Sequence, residues 1–393
     1  QSDPQLGAQI TVRLPGASYP IFIEEGLLRR AGQLLAERAG GRRFFILSDN
    51  TVWKFWGREL RKALAPLDPP VIRIPAGERY KRMATVERIT QQLSALGAER
   101  SSLLLVFGGG VVGDMGAFAA SIFLRGIDYV QIPTTLLAQV DSAIGGKTGV
   151  NLAIGKNLLG TFYQPRMVLA DPEVLRTLPQ RELRAGLFEA VKCAVIGDPD
   201  LFEFLSVARR SVLSGNPAAL QHVIRACAAL KGRVVSQDER EGDLRRVLNF
   251  GHTLGHAIEA ATQYRRFLHG EAVAWGMLAA TRLAVQQRLL TTGDAERITG
   301  LIAAYGPVPP LRNVRLPEVA RHLGVDKKVR DGKIHFVLPR HIGEVTIVAG
   351  IAPEQALAAL QEVVRQNPFH SGAEPVRRAS KTPSKPKRMA RQP

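Results

Sequence analysis

The stretch SLLLVFGGGVVGD, residues 102–114, joins an apolar run to a glycine-rich turn. An uncharged run of this length is typical of a strand buried inside a parallel sheet. The turn satisfies the spacing GxGxxG from Gly108 to Gly113, and bare glycine backbone before a helix can bind a pyrophosphate. The spacing is a weak signal by itself, because it follows a later strand of the chain and not the first. It predicts a strand that ends in a phosphate-binding turn.

Strands and helices alternate on both sides of this stretch. Alternating or continuous apolar runs predict strands at residues 9–14, 43–47, 71–75 and 129–133, and we expect the last of these to close the series. Helical periodicity predicts helices at residues 26–37 and 78–96. This alternation indicates an α/β fold with an N-terminal Rossmann-like, doubly wound parallel sheet.

The character of the chain changes after about Thr177. Residues 180–304 are rich in Ala, Leu and Arg and predict helices, and a hairpin is predicted at residues 333–338 and 344–348. We therefore expect an α/β domain over residues 1–178 and a mostly α-helical domain over residues 179–367.

The composition is that of a globular protein of enzyme size. With 393 residues and 45% apolar content, the chain can bury a large core. No apolar run approaches the roughly 18 residues of a membrane span, and the first residues lack a signal-peptide pattern, so we expect a cytoplasmic protein. Cys193 and Cys227 form no metal or disulfide pattern, and we expect both to be buried thiols.

A formal charge of +18 suggests an anionic partner. Residues 371–393 contain seven Lys or Arg and one Glu among Pro and Ser, so residues 368–393 are predicted to be a disordered basic tail with weak polyanion affinity. A specific nucleic-acid-binding protein is not expected, because no platform of aromatic and basic residues is recognisable. The remaining excess of positive charge lies inside glycine-rich motifs, and it favours a small anionic substrate.

Three of the eight histidines fall between Gly251 and Gly270. His252 and His256 are four residues apart, which places two imidazoles on one face of a helix about one turn apart. With His269 and the upstream Glu189 they form a set that suits a catalytic divalent ion such as zinc. Two histidines at this spacing alone more often pack or cap, and the concentration of three favours the metal. The metal candidates follow the change in character, so we expect a site in the cleft between the two domains.

The richest polar stretch covers residues 133–151 and continues to residues 155–157. Lys147 and Lys156 are predicted in glycine-bearing turns, where backbone can approach an anion while the ammonium neutralises it. Together with Asn157 they suggest a phosphate or carboxylate substrate. Asp49, at a strand end, either caps a helix or accepts hydrogen bonds from a ribose, and the sequence does not decide between the two.

Further charged residues approach the histidine stretch. Glu189 and Lys192 are three residues apart and can face one cleft, or form a local ion pair. Arg245 suits bidentate capture of a carboxylate, and it lies with Asn249 and the more distant Lys231 upstream of His252.

Seven segments, taken together, resemble the 3-dehydroquinate synthase family in order and spacing. They are GGGVVGDMGAF, RGIDYVQIPTTLLAQVDSAIGGKTGVN, GKNLLGTFYQP, LFEAVKCAVI, LNFGHTLGHAIE, LHGEAVAWGM and VDKKV. The resemblance covers about residues 43–348. One departure is Thr51, which stands where the family often has an Asn.

The resemblance implies two cofactors, NAD and a metal, usually zinc or alternatively cobalt. It implies that Glu189, His252 and His269 bind the metal and that His256 lies beside it as a proton shuttle or substrate contact. The residues implied to line the NAD site are Asp49, Glu78, Lys81, Gly109, Gly110, Asp114, Thr134, Thr135, Lys147, Lys156, Thr177 and Leu178. Those implied to surround the substrate are Asp141, Lys147, Lys156, Asn157, Lys192, Lys231, Arg245, Asn249 and Lys328. Arg125 is implied to reach the partner's phosphate site in a homodimer.

The implied activity is conversion of 3-deoxy-D-arabino-heptulosonate 7-phosphate (DAHP) to 3-dehydroquinate and phosphate in the shikimate pathway. A hydroxyl is transiently oxidised by NAD, phosphate is eliminated, the hydride returns, and the ring opens and closes by an aldol step. Another sugar-phosphate cyclase or a metal-dependent polyol dehydrogenase are the alternatives. An uncharged polyol would leave Lys147, Lys156, Asn157 and Arg245 unexplained.

Overall fold

The computed structural model describes residues 9–312, 314–325, 329–330 and 333–369. Within these residues the strands are β1 (Ile10–Val12), β2 (Tyr19–Ile23), β3 (Phe44–Asp49), β4 (Val71–Ile74), β5 (Leu103–Gly108), β6 (Asp128–Pro133), β7 (Val150–Leu152), β8 (Gly155–Leu159), β9 (Met167–Ala170), β10 (Val329–Arg330), β11 (Lys333–His341) and β12 (Glu344–Ala349).

The helices of the same residues are α1 (Ala31–Ala39), α2 (Asn50–Ala63), α3 (Met83–Ala95), α4 (Gly110–Ile122), α5 (Gln180–Gly197), α6 (Pro199–Val207), α7 (Arg209–Leu213), α8 (Pro217–Gln237), α9 (His252–Ala261), α10 (His269–Gln286), α11 (Thr292–Ala304), α12 (Leu316–Val325) and α13 (Pro353–Gln366). Short turns of tighter helix lie at Leu27–Arg30, Glu78–Tyr80, Phe123–Arg125, Pro172–Thr177 and Leu244–Asn249.

Seven strands form the central sheet in the order β1-β2-β9-β6-β5-β3-β4. Every neighbouring pair from β2 to β4 is parallel, and only the edge strand β1 is antiparallel to its neighbour. Gly108 at the end of β5 lies opposite Pro133 at the end of β6, so the turns that follow these strands meet at one edge of the sheet. The sequence-based prediction of an N-terminal, doubly wound parallel sheet is confirmed.

The predicted strands of the central sheet appear with bounds that differ by at most two residues, and two strands of this sheet, β2 and β9, were not predicted. The expectation that residues 129–133 close the series is wrong, because β9 pairs with β6 and extends the sheet to β2. β2 contains Pro20, which ordinarily argues against a strand inside a sheet. β9 has only four residues. Runs this short do not distinguish a strand from a buried turn of helix.

Alternating residues of the central strands enter two cores, one on each face of the sheet. Ile46 and Leu105 belong to the larger core, whereas Leu47 and Val106 belong to the smaller one. The larger core continues without a break into the buried sides of α5, α8 and α10. Helix α8 packs directly on β1 and β2 of the sheet, and α5 packs on α8, so side chains from both parts of the chain can meet in one site.

The predicted hairpin is present as β11 and β12, and both cysteines are buried free thiols as expected. The predicted helix over residues 78–96 is interrupted, because Lys81 leaves the helical region before α3 begins. Among the described residues, none of the helices has the length and apolar character needed to cross a bilayer.

Candidate active site

Three helices bring the candidate metal ligands together. α9 begins at His252 and presents His256 one turn later, α10 begins at His269, and the middle of α5 carries Glu189. The Nε2 atoms of His252 and His269 lie 3.8 and 3.6 Å from Oε1 of Glu189. Ligands of a tetrahedral zinc are about 3.3 Å apart, given Zn–N and Zn–O distances near 2.0–2.1 Å. The three atoms therefore converge almost to ligand spacing.

Glycines allow these helices to approach so closely. A Cβ added at Gly276 of α10 would clash with the backbone oxygen of Gly251, directly before α9. A Cβ added at Gly270 would clash with the backbone oxygen of Ala185 on α5. The two contacts fix α10 against both neighbours on the side that carries the candidate ligands.

The donor set fits a divalent cation. Glu189 is fully buried, and its Oε1 has no hydrogen-bond partner in the described structure, whereas its Oε2 lies beside the ammonium of Lys192. A buried carboxylate with one oxygen unpaired suits a second cation, because uncompensated charge is costly in a low-dielectric interior. The Nδ1 atoms of His252 and His269 lie 3.1 Å from Phe250 O and Glu259 Oε2. These contacts favour a proton on each Nδ1 and leave each Nε2 as a ligand lone pair.

The three histidines also form a cluster of their own. One ring nitrogen each of His252, His256 and His269 lies within 4.8 Å of the others. The structure thus brings together both the set suggested by the HxxxH spacing and the set implied by the family resemblance. The buried Glu189, with its unpaired Oε1 facing both ligand histidines, favours the latter, with His256 beside the ion. The ligand assignment itself stays a prediction.

Two buried lysines extend the charge network from this cluster. The Nζ of Lys192 lies 2.5 Å from Oε2 of Glu189, and the Nζ of Lys231 lies 2.5 Å from Oδ1 of Asp141. Burial lowers the pKa of Lys192, but the charges of Glu189 and Asp141 outweigh it and raise that pKa. Burial likewise raises the pKa of Asp141, and Lys231 with Lys192 lowers it well below its ordinary range. Lys192 and Asp141 are therefore held in their charged forms.

The pKa of Lys231 is shifted the other way. Burial lowers it, Asp141 raises it less, and the nearby Arg245 lowers it further, so the net shift is downward. Lys231 therefore loses its proton more readily than an ordinary lysine. It also donates to the backbone oxygen of Asp141 at 2.6 Å, which fixes its position.

Arg245 is almost fully buried, and among the described residues the hydrogen bonds of its guanidinium go to backbone oxygens. It donates to the backbone oxygens of Glu239 and Gly145 at 2.6 and 3.0 Å. Its Nε is buried and without a partner in the described structure. The guanidinium therefore positions the Gly145 turn and keeps one unused donor, and capture of a substrate carboxylate stays a prediction.

Lys147 and Asn249 meet at Glu241, one of the charged residues that precede the histidine stretch in the sequence. Lys147 forms an ion pair with Glu241, and Asn249 Nδ2 donates to the same side chain at 3.3 Å. Lys147 lies in a single bridge to Phe162 and is half exposed. Burial lowers the pKa of Lys147, and the pairing with Glu241 only partly offsets this.

The hairpin of β7 and β8 carries Lys156 and Asn157, so the prediction that Lys156 lies in a turn is wrong. Lys156 Nζ lies 3.2 Å from Oε1 of Glu259 on α9 and 4.5 Å from the ring centroid of Tyr264. Asn157 Oδ1 accepts from Lys81 at 2.5 Å. The short β-strands were hidden in the sequence by glycine and lysine, which are depleted in strands.

The loop after β4 joins this hairpin to the glycine-rich turn. Lys81 Nζ lies 2.5 Å from Oδ2 of Asp114 on α4, and Asn151 Nδ2 donates to Glu78 Oε1 at 2.8 Å. Burial lowers the pKa of Lys81, and the charges of Asp114 and Glu78 raise it above its ordinary value. Burial raises the pKa of Asp114 more than Lys81 lowers it.

The turn between β5 and α4 is built as the sequence predicted. Gly109 is the N-cap of α4, without a side-chain cap or an acidic residue in the first turn, so the first amides are free to bind an anion. A Cβ on Gly109 would lie 2.8 Å from Cγ2 of Thr135. Thr134 Oγ1, at the neighbouring strand end, is buried and without a partner in the described structure. The helix N-terminus without a cap and the unpaired hydroxyl suit the phosphates of a dinucleotide.

Two other residues of the implied NAD site have structural partners. Asp49 is the N-cap of α2 and accepts at Oδ1 from the amides of Thr51 and Val52 at 2.8 and 2.9 Å. The capping role is thus present, and a ribose contact stays a prediction. Thr177 accepts from the indole of Trp56 at 2.8 Å, and Leu178 follows it in a partly buried position.

Arg125 lies apart from this assembly. It follows α4 in a left-handed turn with φ 67° and is exposed. A role at a partner's site stays a prediction. Lys328 lies outside the described residues.

Comparison with protein families matches the N-terminal model of 3-dehydroquinate synthase to residues 71–185 and the C-terminal model to residues 186–329. The 3-dehydroquinate synthase of Solibacter usitatus is 47% identical over 353 residues, which cover 90% of this chain and 98% of that protein. The chain belongs to the 3-dehydroquinate synthase family.

Solved structures of related cyclases have the same fold as this member of the 3-dehydroquinate synthase family. One is the 2-epi-5-epi-valiolone synthase of Streptomyces hygroscopicus with NAD+ and Zn2+ bound, at a TM-score of 0.82 and 34% identity, covering 90% of this chain and 98% of that one. Another is a 2-deoxy-scyllo-inosose synthase with carbaglucose-6-phosphate, NAD+ and Co2+, at a TM-score of 0.81 and 28% identity, covering 90% and 99%.

Proposed function

We propose that this protein is a 3-dehydroquinate synthase, a phosphate-eliminating lyase that converts DAHP to 3-dehydroquinate and phosphate. The proposal rests on family membership and on one observation, that buried Lys192 and Lys231 stand beside a carboxylate and histidine cluster built for a divalent cation. A substrate with both a phosphate and a carboxylate supplies the negative charge that these ammonium groups can neutralise.

We propose NAD and a divalent metal, zinc or cobalt, as cofactors, as in the related structures. Glu189, His252 and His269 would hold the metal, and the edge formed by Gly109 and Thr134 would hold NAD. When bound, NAD accepts and returns a hydride while the metal polarises the hydroxyl that is oxidised.

The chain's own groups then bind, orient and move protons. Lys147, Asn249 and the hairpin residues Lys156 and Asn157 would bind the substrate's anionic groups at the open side of the site. Lys192 and Asp141 would keep the buried side ordered. These fixed charges act without reorganisation as charge develops, which is the usual origin of strong transition-state stabilisation.

Lys231 and His256 are proposed to move protons. The lowered pKa of Lys231 favours exchange of its proton with a substrate hydroxyl. His256 lies beside the two ligand histidines, with ring centroids 5.3 and 5.7 Å away, within reach of a ligand held by the same ion.

We further propose a cytoplasmic homodimer, with an α/β NAD-binding domain over residues 1–178 and a helical metal- and substrate-binding domain over residues 179–367. Arg125 would contact the partner's phosphate site. Ile122 and Leu124 beside it are 38% and 42% exposed and supply apolar surface for such a contact. A monomer in sedimentation that retains full turnover would contradict this arrangement.

Two alternatives lead to different products. A related cyclase would act on another sugar phosphate. A polyol dehydrogenase would act on an uncharged substrate, so it would not need the lysines that line this site. The test is phosphate release from DAHP with catalytic NAD and zinc, while NADH absorbance is followed. Phosphate without accumulating NADH supports the proposal. Accumulating NADH without phosphate indicates a dehydrogenase, and neither signal indicates a different sugar phosphate.

A further inference from the structure

One carboxylate touches both a candidate metal ligand and the substrate hairpin. Glu259 lies near the end of α9, seven residues after His252, and is almost fully buried. Its Oε2 lies 3.1 Å from Nδ1 of His269, and its Oε1 lies 3.2 Å from Nζ of Lys156. The two oxygens of one side chain thus connect the metal end of the site with β8.

The turn after α9 supports the same lysine. Gln263 and Tyr264 adopt left-handed backbone with φ 53° and 57°, and the amide of Tyr264 donates to Glu259 O at 2.8 Å. This turn places the Tyr264 ring 4.5 Å from the ammonium of Lys156. An ammonium held between a buried carboxylate and an aromatic face has a defined position, although the hairpin around it is largely exposed.

We propose that Glu259 is a positioning residue that couples the metal site to Lys156. It fixes the Nδ1–H tautomer and ring orientation of His269, so that Nε2 stays directed at the ion, and it shares its charge with Lys156. The proposal rests on the proposed metal site, because it concerns how this chain prepares a ligand for that ion.

The coupling has a definite sign. The positive charge of Lys156 withdraws electron density from Glu259 and makes it a weaker acceptor for His269. When Lys156 pairs with a substrate anion instead, Glu259 becomes a stronger acceptor for His269. His269 then binds the metal more tightly. Substrate arrival at the hairpin therefore tightens the metal site, without a contact between the hairpin and the ion.

The test measures zinc affinity of the full chain, stripped of metal and titrated with zinc alone against a chromogenic chelator. Glu259→Gln is expected to weaken zinc binding about 10–100-fold, the usual loss when such a supporting carboxylate is removed. Glu362→Gln is the matched control, because Glu362 pairs with Arg282 of the same helix α10, at 2.7 Å, without touching a candidate ligand. An unchanged zinc affinity in folded Glu259→Gln overturns the proposal.

Substitution of Lys156 gives a second, independent test of the proposal. Lys156→Gln is expected to tighten zinc binding about threefold or more, through relief of charge on Glu259. Lys147→Gln removes an equal charge from the site but leaves Glu259 untouched, and is expected to change zinc affinity less. In the Glu259→Gln background the two lysine variants should be equivalent, which a double-mutant cycle measures. Equal effects of the two lysines in the native background overturn the coupling even if Glu259→Gln does not fold.

The two proposals fail differently. Zinc binding that responds as expected, without phosphate release from DAHP, would reject the proposed function and leave the role of Glu259 standing. Phosphate release with a zinc affinity insensitive to Glu259 would do the reverse.

Discussion

Buried charges decide the chemistry of this protein at the scale of single residues. Glu189 has no solvent contact, and the ammonium of Lys192 beside it compensates for the burial of its carboxylate. Lys147 belongs to the open side of the same network and pairs with Glu241 in the absence of substrate. A substrate anion that replaces Glu241 gains an ammonium already held in place, so Lys147 should matter for substrate and not for nucleotide.

Lys147→Ala is expected to lower kcat/KM for DAHP about 10–100-fold, the equivalent of one charge-assisted hydrogen bond. NAD affinity, measured by fluorescence titration, should change little. Lys54→Ala, an exposed change on α2, serves as the control. A selective loss of NAD affinity would assign Lys147 to the nucleotide and reject its place at the substrate.

Close helix contacts are the decisive feature at the scale of elements. α10 lies against the start of α9 at Gly276 and against α5 at Gly270, and the candidate ligands stand at these contacts. At each glycine the lack of a side chain lets two helix backbones touch, so the geometry of the candidate ligands depends on residues that have no functional group. Replacing either glycine with a larger residue should therefore weaken metal binding.

Gly276→Ala is expected to lower the free energy of unfolding by about 3 kcal/mol, because overpacking forces two helices apart. The zinc affinity of this variant should fall as well. Gly300→Ala in α11 is the matched control, since a Cβ there meets open space and alanine favours the helix by up to about 1 kcal/mol. Denaturant unfolding checks both variants. Equal stability changes of the two would contradict the packing argument.

At the scale of the whole molecule, one turn connects distant parts of the chain. The amide of Gly145 donates to the hydroxyl of Tyr19 on β2 at 2.9 Å, and its carbonyl accepts from Arg245. Burial raises the pKa of Tyr19 to about 12. Since the pKa is higher in the folded state than in the unfolded state, near 10, Tyr19 stabilises the fold below pH 10.

Stability should therefore fall as the pH rises from about 10 to about 12, by about 2–3 kcal/mol from Tyr19 alone. Tyr19→Phe should reduce this loss, as measured by denaturant unfolding across the alkaline range. An identical pH dependence in both proteins would show that Tyr19 ionises as readily in the folded chain as in the unfolded one.

The charge of +18 is concentrated partly beyond the described residues. Deleting residues 371–393 is expected to abolish weak binding to polyanions such as heparin and to leave turnover of DAHP intact. Heparin retention at several salt concentrations and steady-state kinetics measure the two effects. A loss of turnover in the shortened chain would give the tail a catalytic role.

The sequence by itself determined the fold class and the family. A six-residue apolar strand that ends in glycines, and motifs such as GGKTGVN and LNFGHTLGHAIE, carry that information locally, because strand burial and turn geometry depend on neighbouring residues. The residues themselves placed Glu189 among the metal candidates, and the resemblance then implied Glu189, His252 and His269 as the ligands with His256 beside them. The structure adds the buried, unpaired Oε1 of Glu189 that makes this assignment physically reasonable.

Only the tertiary structure decided which residues form ion pairs and which strands extend the central sheet. Glu241 and Glu259 are ordinary acidic residues in the sequence, and each becomes significant through a lysine 94 or 103 positions away. β9 joins the sheet because it pairs with β6 and β2, which no local pattern in four residues can indicate. The physical reason is the same in each case. Which distant residues pair depends on how the core packs, and the local sequence does not specify which parts of the chain come together.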